Sequence, residues 1–128
     1  MQELIAFYGS LMREHGLLER LGVAEKLQYL GPCKIPGRLY DLGEYPGLTA
    51  APEGEVAGEC FRISDPTALS ALDAYEDFRP AEPDASLFVR RKVCLIEPAL
   101  ECWVYYYPGP IRPQDRVISG QWKNHPGS

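Results

Sequence analysis

Leu4-Ile5-Ala6-Phe7-Tyr8-Gly9-Ser10-Leu11 is an apolar run that breaks at a Gly-Ser pair. Its length and composition are those of a buried strand. Gly9 can take backbone angles closed to other residues and lets a second group approach the main chain closely. Ser10 adds a hydroxyl, and the helical-looking segment beyond it would leave unpaired N–H groups at its first turn. A strand that ends in such a loop before a helix presents several donors to one point, which suits a carboxylate or another small anion. Glycine and serine also end many ordinary strands, so this stretch needs a second feature before it reads as a site.

The rest of the chain sets the frame. Its 128 residues fit one domain, residues 1–128, with enough length to bury a real core. Apolar residues make up 45% and charged residues 24%, as in a soluble globular protein. The apolar stretches are too short to cross a bilayer, and no signal peptide is legible at the N-terminus. A cytoplasmic protein without a membrane partner is expected. Net charge is −5, and the basic residues form only short groups such as Arg90-Arg91-Lys92, which disfavours nucleic-acid binding. Cys33, Cys60, Cys94 and Cys102 contain no close pair, and neither His15 nor His125 stands at metal-ligand spacing from them. Neither a metal site nor a disulfide is expected. Cys60, Cys94 and Cys102 lie in strand-like runs, where a reduced cysteine behaves as a small buried hydrophobe.

Along the chain, Leu17, Leu21 and Ala24 carry helical spacing that Gly16 and Gly22 interrupt, so short helical pieces are expected. Residues 31–37 are rich in breakers and lead into a strand-like run at 38–42. A loop at 43–47 follows, and alternation returns at 56–63. Ser64-Asp65-Pro66 has the form of a helix start, with the helical pattern over 67–76. Two strands are expected at 87–96 and 101–107, and residues 124–128 read as a frayed tail. The spacing predicts one α+β domain with more strand than helix.

The second feature lies on the helix at 67–76. Leu69 and Leu72 face the core, and Glu76 projects between them on the same stripe. A carboxyl group on an apolar face has its charged form disfavoured, which brings its pKa toward values useful for moving protons near neutrality. The alternatives are that the helix has already ended before Glu76, or that Glu76 pairs with an arginine such as Arg79, Arg90 or Arg91. Asp73, at the edge of the stripe, and Asp77, further round, read as solvated.

Together these features resemble the γ-glutamylcyclotransferase-like (AIG2-like) family. The resemblance runs from Phe7-Tyr8-Gly9-Ser10-Leu11 through Gly37-Arg38-Leu39-Tyr40-Asp41-Leu42-Gly43 and Tyr45-Pro46-Gly47. It continues with Val56-Ala57-Gly58-Glu59 and Leu72-Asp73-Ala74-Tyr75-Glu76, then Arg90-Arg91-Lys92-Val93, Trp103-Val104-Tyr105 and Ile118-Ser119-Gly120-Gln121-Trp122. It implies a mixed, β-barrel-like sheet flanked by short helices, with a cavity at one side. It also implies that the main chain at Tyr8, Gly9, Ser10 and Leu11 holds the carboxylate end of a γ-glutamyl group, and that Glu76 is the catalytic acid/base. The implied reaction is an acyl transfer within one molecule. The α-amine of a γ-glutamyl amine or amide attacks its own γ-carbonyl, closing 5-oxoproline and releasing the amine, with no cofactor and no metal. The implied partner is a small-molecule γ-glutamyl substrate of a monomer or homodimer.

One position departs from the family pattern. Phe88 in Phe88-Val89-Arg90 stands where members often carry tyrosine, and Tyr105 or Tyr107, on one face of their strand by alternation, could supply the hydroxyl instead. Core packing is the competing reading for both tyrosines. Two alternatives to cyclisation stay open: a non-catalytic binding module for an acidic γ-glutamyl-like metabolite, and a hydrolysis or other acyl transfer on a γ-glutamyl compound. Residues 43–54 and 79–86 are candidate pocket walls.

Overall fold

The computed structural model describes residues 3–9, 11–13, 16–43, 45–51 and 53–122. Ser10, His15, His125 and the expected tail at 124–128 lie outside the described residues.

The opening run forms strand β1 (Glu3–Phe7), and both of its faces are buried. Alternation sends Leu4, Ala6 and Tyr8 into one apolar cluster and Ile5 and Phe7 into another on the opposite face. A strand covered on both sides reads as an unbroken apolar run, as this one does. The remaining strands are β2 (Leu27–Pro36), β3 (Arg38–Asp41), β4 (Pro46–Thr49), β5 (Glu55–Ile63), β6 (Val89–Cys94) and β7 (Glu101–Tyr106). Five of them form a mixed sheet in the order β2-β5-β1-β7-β6, with β1 antiparallel to β5 and parallel to β7. β3 and β4 pair as a separate hairpin. Tyr107 N–H to Leu48 C=O (2.7 Å) and Val117 N–H to Leu39 C=O (2.8 Å) tie that hairpin to the rest of the fold.

Two helices are α1 (Leu17–Arg20) and α2 (Thr67–Tyr75), so the α+β class with short helices holds. Among the described residues no helix is long and apolar enough to cross a membrane. The sheet is not closed, which corrects the barrel-like expectation. Where β2 meets the segment after β6 there is one isolated bridge, between Lys34 and Glu97, with N–H to C=O distances of 2.8 and 2.9 Å on its two sides.

Three local readings change. Residues 31–36, expected as a breaker-rich connection, belong to β2, which pairs with β5 over nine registered positions and a bulge between Tyr29 and Gly31. β2 is an edge strand, so Pro32 can sit where its missing N–H would face away from the ladder. Tertiary pairing outweighs the local breakers there. Cys94 is exposed, because it lies at the end of the other edge strand, while Cys33, Cys60 and Cys102 are buried. The buried stripe of α2 is centred on Ala68 and Leu72, with Leu69 only half-buried.

Candidate active site

α2 starts and stops through identifiable side-chain and backbone chemistry. Asp65 Oδ1 accepts hydrogen bonds from Thr67 N–H (3.0 Å) and Thr67 Oγ1 (2.8 Å), as a capping side chain should. At the other end Phe78 N–H reaches Asp73 C=O (2.8 Å) and Asp77 N–H reaches Ala74 C=O (3.3 Å). Asp77 has φ 56°. This is a Schellman motif with aspartate in the left-handed position. Glu76 is the capping residue itself, so the motif fixes its backbone just where the helix ends. Leu87 N–H then bonds to Asp77 C=O (3.0 Å), joining the start of the β6 segment to the same turn.

Glu76 faces a cavity of about 250 Å³ whose wall includes Gly9, Leu11, Tyr105, Tyr45 and Phe88. The structure therefore brings the two features singled out in the sequence to one cavity. Glu76 is half-buried, and burial pushes its carboxyl up to about 8. The three arginines that could have neutralised it are elsewhere. Arg90 pairs with Asp73 and Arg79 with Asp77, while Arg91 borders a different cavity. With no cation beside it among the described residues, the carboxylate bears the cost of leaving water.

Gly9 is a glycine for a steric reason. A Cβ there would stand 2.5 Å from Pro46 Cγ, far inside contact distance, so the β3–β4 loop could not close against the end of β1. Met12 N–H donates to Gly9 C=O (2.9 Å), a turn-type hydrogen bond. Arg13 takes 3-10 helical geometry just after this loop, and the first α-helix among the described residues, α1, starts at Leu17. The Tyr8 side chain points into the core, donating to Tyr105 C=O (2.8 Å) and accepting from Leu48 N–H (3.3 Å). Burial, with the nearby Glu76 charge second, holds its phenol well above the usual range.

Asp73 corrects an expectation. It is buried at 7% exposure, where a solvated side chain was expected. Its carboxylate forms a two-pronged pair with Arg90, from Nε to Oδ1 at 2.8 Å and from Nη2 to Oδ2 at 3.0 Å. Tyr105 Oη donates to the same Oδ1 at 2.7 Å. The Arg90 guanidinium also stacks 4.4 Å from the centre of the Trp103 ring. The physical reason lies across the interface: β6 and β7 present a cation and a phenol opposite the edge of the α2 stripe, and only an acid there can satisfy both. This pair docks the last turn of α2 onto the sheet. A signal for it existed in the position of Asp73, one residue past the core-facing Leu72, but its partners are more than 15 residues away in sequence.

Tyr105 lines the cavity, and its hydroxyl proton is committed to Asp73, which leaves that oxygen only acceptor capacity. Burial comes first and the Asp73 hydrogen bond second in raising its phenol far above the usual range. Phe88 is buried and packs at 5.9 Å from Tyr45 and 5.8 Å from Tyr107, ring centre to ring centre. Of the two candidate walls, the 43–54 stretch contributes Tyr45 and Pro46. The 79–86 stretch does not reach this cavity: Leu87 and Phe88, immediately after it, do, while Asp84 and Ser86 border a neighbouring cavity.

Known proteins share this architecture. The structure of an AIG2-like protein from Mus musculus is similar with a TM-score of 0.71 at 21% identity, covering 98% of this chain and 91% of that one. The solution structure of the Escherichia coli protein ytfP has a TM-score of 0.68 at 30% identity, covering 94% and 96%. A Vibrio cholerae protein named "Putative gamma-glutamylcyclotransferase" is 33% identical over 124 residues, 95% of this chain and 96% of its own length. Residues 5–124 match the family model described as gamma-glutamyl cyclotransferase, AIG2-like, and the chain belongs to that family.

Proposed function

We propose that this cavity takes a γ-glutamyl amine or amide and that Glu76 drives its cyclisation to 5-oxoproline with release of the amine. The observation that carries this reading is an unpaired, half-buried carboxyl facing the same cavity as the Gly9 turn. In this reading the amides of the turn at Tyr8, Gly9, Ser10 and Leu11 hold the substrate's α-carboxylate, as anions are held by convergent main-chain donors. The α-amine and the γ-carbonyl belong to one molecule, so holding the chain folded into attacking geometry supplies much of the acceleration.

The proton inventory closes within one residue. The attacking nitrogen forms a bond to the γ-carbon and gives a proton to the Glu76 carboxylate. The same carboxyl returns it to the departing nitrogen as the original amide bond breaks. A carboxyl raised to about 8 lies closer to the range of an amine than an ordinary carboxyl does. That narrows the cost of proton transfer between the two. Tyr105, able to accept but not to donate, suits an N–H of the α-amine and orients it toward the carbonyl. With its hydroxyl so directed, the phenol missing at Phe88 is not required for the chemistry.

The test is 5-oxoproline release from a panel of γ-glutamyl amino acids and amines, with Glu76→Gln alongside. The variant keeps the shape and removes the proton acceptor, and a loss of about 10²–10⁴-fold is expected. For the wild type kcat/KM should rise with pH through about 8, because the base form gains population there. Turnover by the variant at the wild-type level would remove Glu76 from the mechanism.

A further inference from the structure

The outer wall of the cavity bears on which amine leaves. Beyond Gly9 and Glu76, the lining runs outward through Tyr45, Pro46, Tyr75, Leu87 and Phe88. Among the described lining residues Glu76 is the one charged side chain. Leu87 and Tyr75 keep 38% and 41% of their surfaces exposed, large apolar groups held at the rim rather than folded into the core. The rim is fixed relative to the base: Leu87 is bonded through its main chain to Asp77, the residue directly after Glu76. Phe88 is wedged between the Tyr45 and Tyr107 rings.

Resting on the cyclisation reading above, we infer that the leaving amine is a neutral, apolar one, an alkyl or arylalkyl amine without a carboxylate of its own. A leaving amino acid would bring its carboxylate against Leu87 and Phe88, stripping water from it where the described lining residues include no cation. Arg90 is held by Asp73, and Arg91 lines the neighbouring cavity rather than this one. The ionised base adds a like charge. An aryl or alkyl group in the same place exchanges water for the rim's apolar surface and gains from it. Leu87 is then a specificity-determining residue.

Three γ-glutamyl compounds separate the possibilities: the phenethylamide, the phenylalanine conjugate that adds only a carboxylate, and the ε-lysine isopeptide. Release of 5-oxoproline is followed for each with the wild type and with Leu87→Arg, and binding to the wild type is measured by calorimetry. The phenethylamide should exceed the phenylalanine conjugate at least tenfold in kcat/KM, and Leu87→Arg should narrow that ratio by supplying a cation at the rim. Equal or faster turnover of either charged compound overturns the inference and leaves the cyclisation standing. Selective binding of the phenethylamide without 5-oxoproline overturns the cyclisation and supports the apolar pocket. Neither binding nor turnover of any of the three overturns both.

Discussion

Replacing Glu76 with glutamine should make the protein more stable, and increasingly so as pH rises. The wild-type carboxyl is displaced from an ordinary 4.5 to about 8, with burial as the cause. Between those values the folded protein holds a proton that the unfolded chain has released. Stability therefore falls as pH rises, by about 1.4 kcal/mol per pH unit while the difference lasts. Taken at full value the displacement corresponds to about 4–5 kcal/mol lost between pH 4.5 and pH 8. Glu76 is only half-buried, and water in the cavity screens part of the charge, so about 2–3 kcal/mol is the working figure. Glutamine has the shape of the protonated acid and no charge to expose. The difference between variant and wild type should be near zero at pH 4.5 and reach its full size by pH 9. Urea unfolding of the two proteins at unit steps across that range measures it, and other titrating groups cancel in the difference. Curves that stay parallel within about 0.5 kcal/mol, near the reach of such extrapolations, would refute the claim that this carboxylate is held in a desolvated site. A gain in stability alongside a loss of turnover would mark Glu76 as a residue kept for chemistry at the expense of the fold.

Asp73→Asn should destabilise the protein by about 3–5 kcal/mol by leaving the Arg90 charge buried without its partner, whereas Tyr105→Phe should cost about 1–2 kcal/mol; urea unfolding separates them, and a cost below about 1 kcal/mol for Asp73→Asn would contradict the docking role. Gly9→Ala should raise KM for a turned-over γ-glutamyl substrate and destabilise by about 1–3 kcal/mol, since its Cβ would meet Pro46. Adding Pro46→Ala should recover part of both, and strict additivity would argue that the two residues do not oppose each other. In the native protein one thiol, exposed Cys94, should react rapidly with a disulfide reagent near pH 8. Cys33, its thiol pushed up to about 12 by burial, and buried Cys60 and Cys102 should react only on unfolding.

The amino-acid order by itself determined the elements whose signals are local. The apolar run ending at Gly9 read as a buried strand, Ser64-Asp65-Pro66 as a helix start, and Glu76, four residues after Leu72, as lying on the apolar side of that helix. Each follows from a period of two or 3.6 and from capping chemistry within a few residues. Tertiary structure decided what those elements meet. Residues 31–36 became strand because β5 offers a ladder that outweighs Pro32 and Pro36, a gain invisible to a local window. Asp73 went inside because Arg90 and Tyr105, 17 and 32 positions away, jointly offset the cost of burying its charge. Glu76 has no cation beside it among the described residues because Arg90 and Arg79 pair with Asp73 and Asp77 and Arg91 borders another cavity, an outcome of competition that exists only in three dimensions.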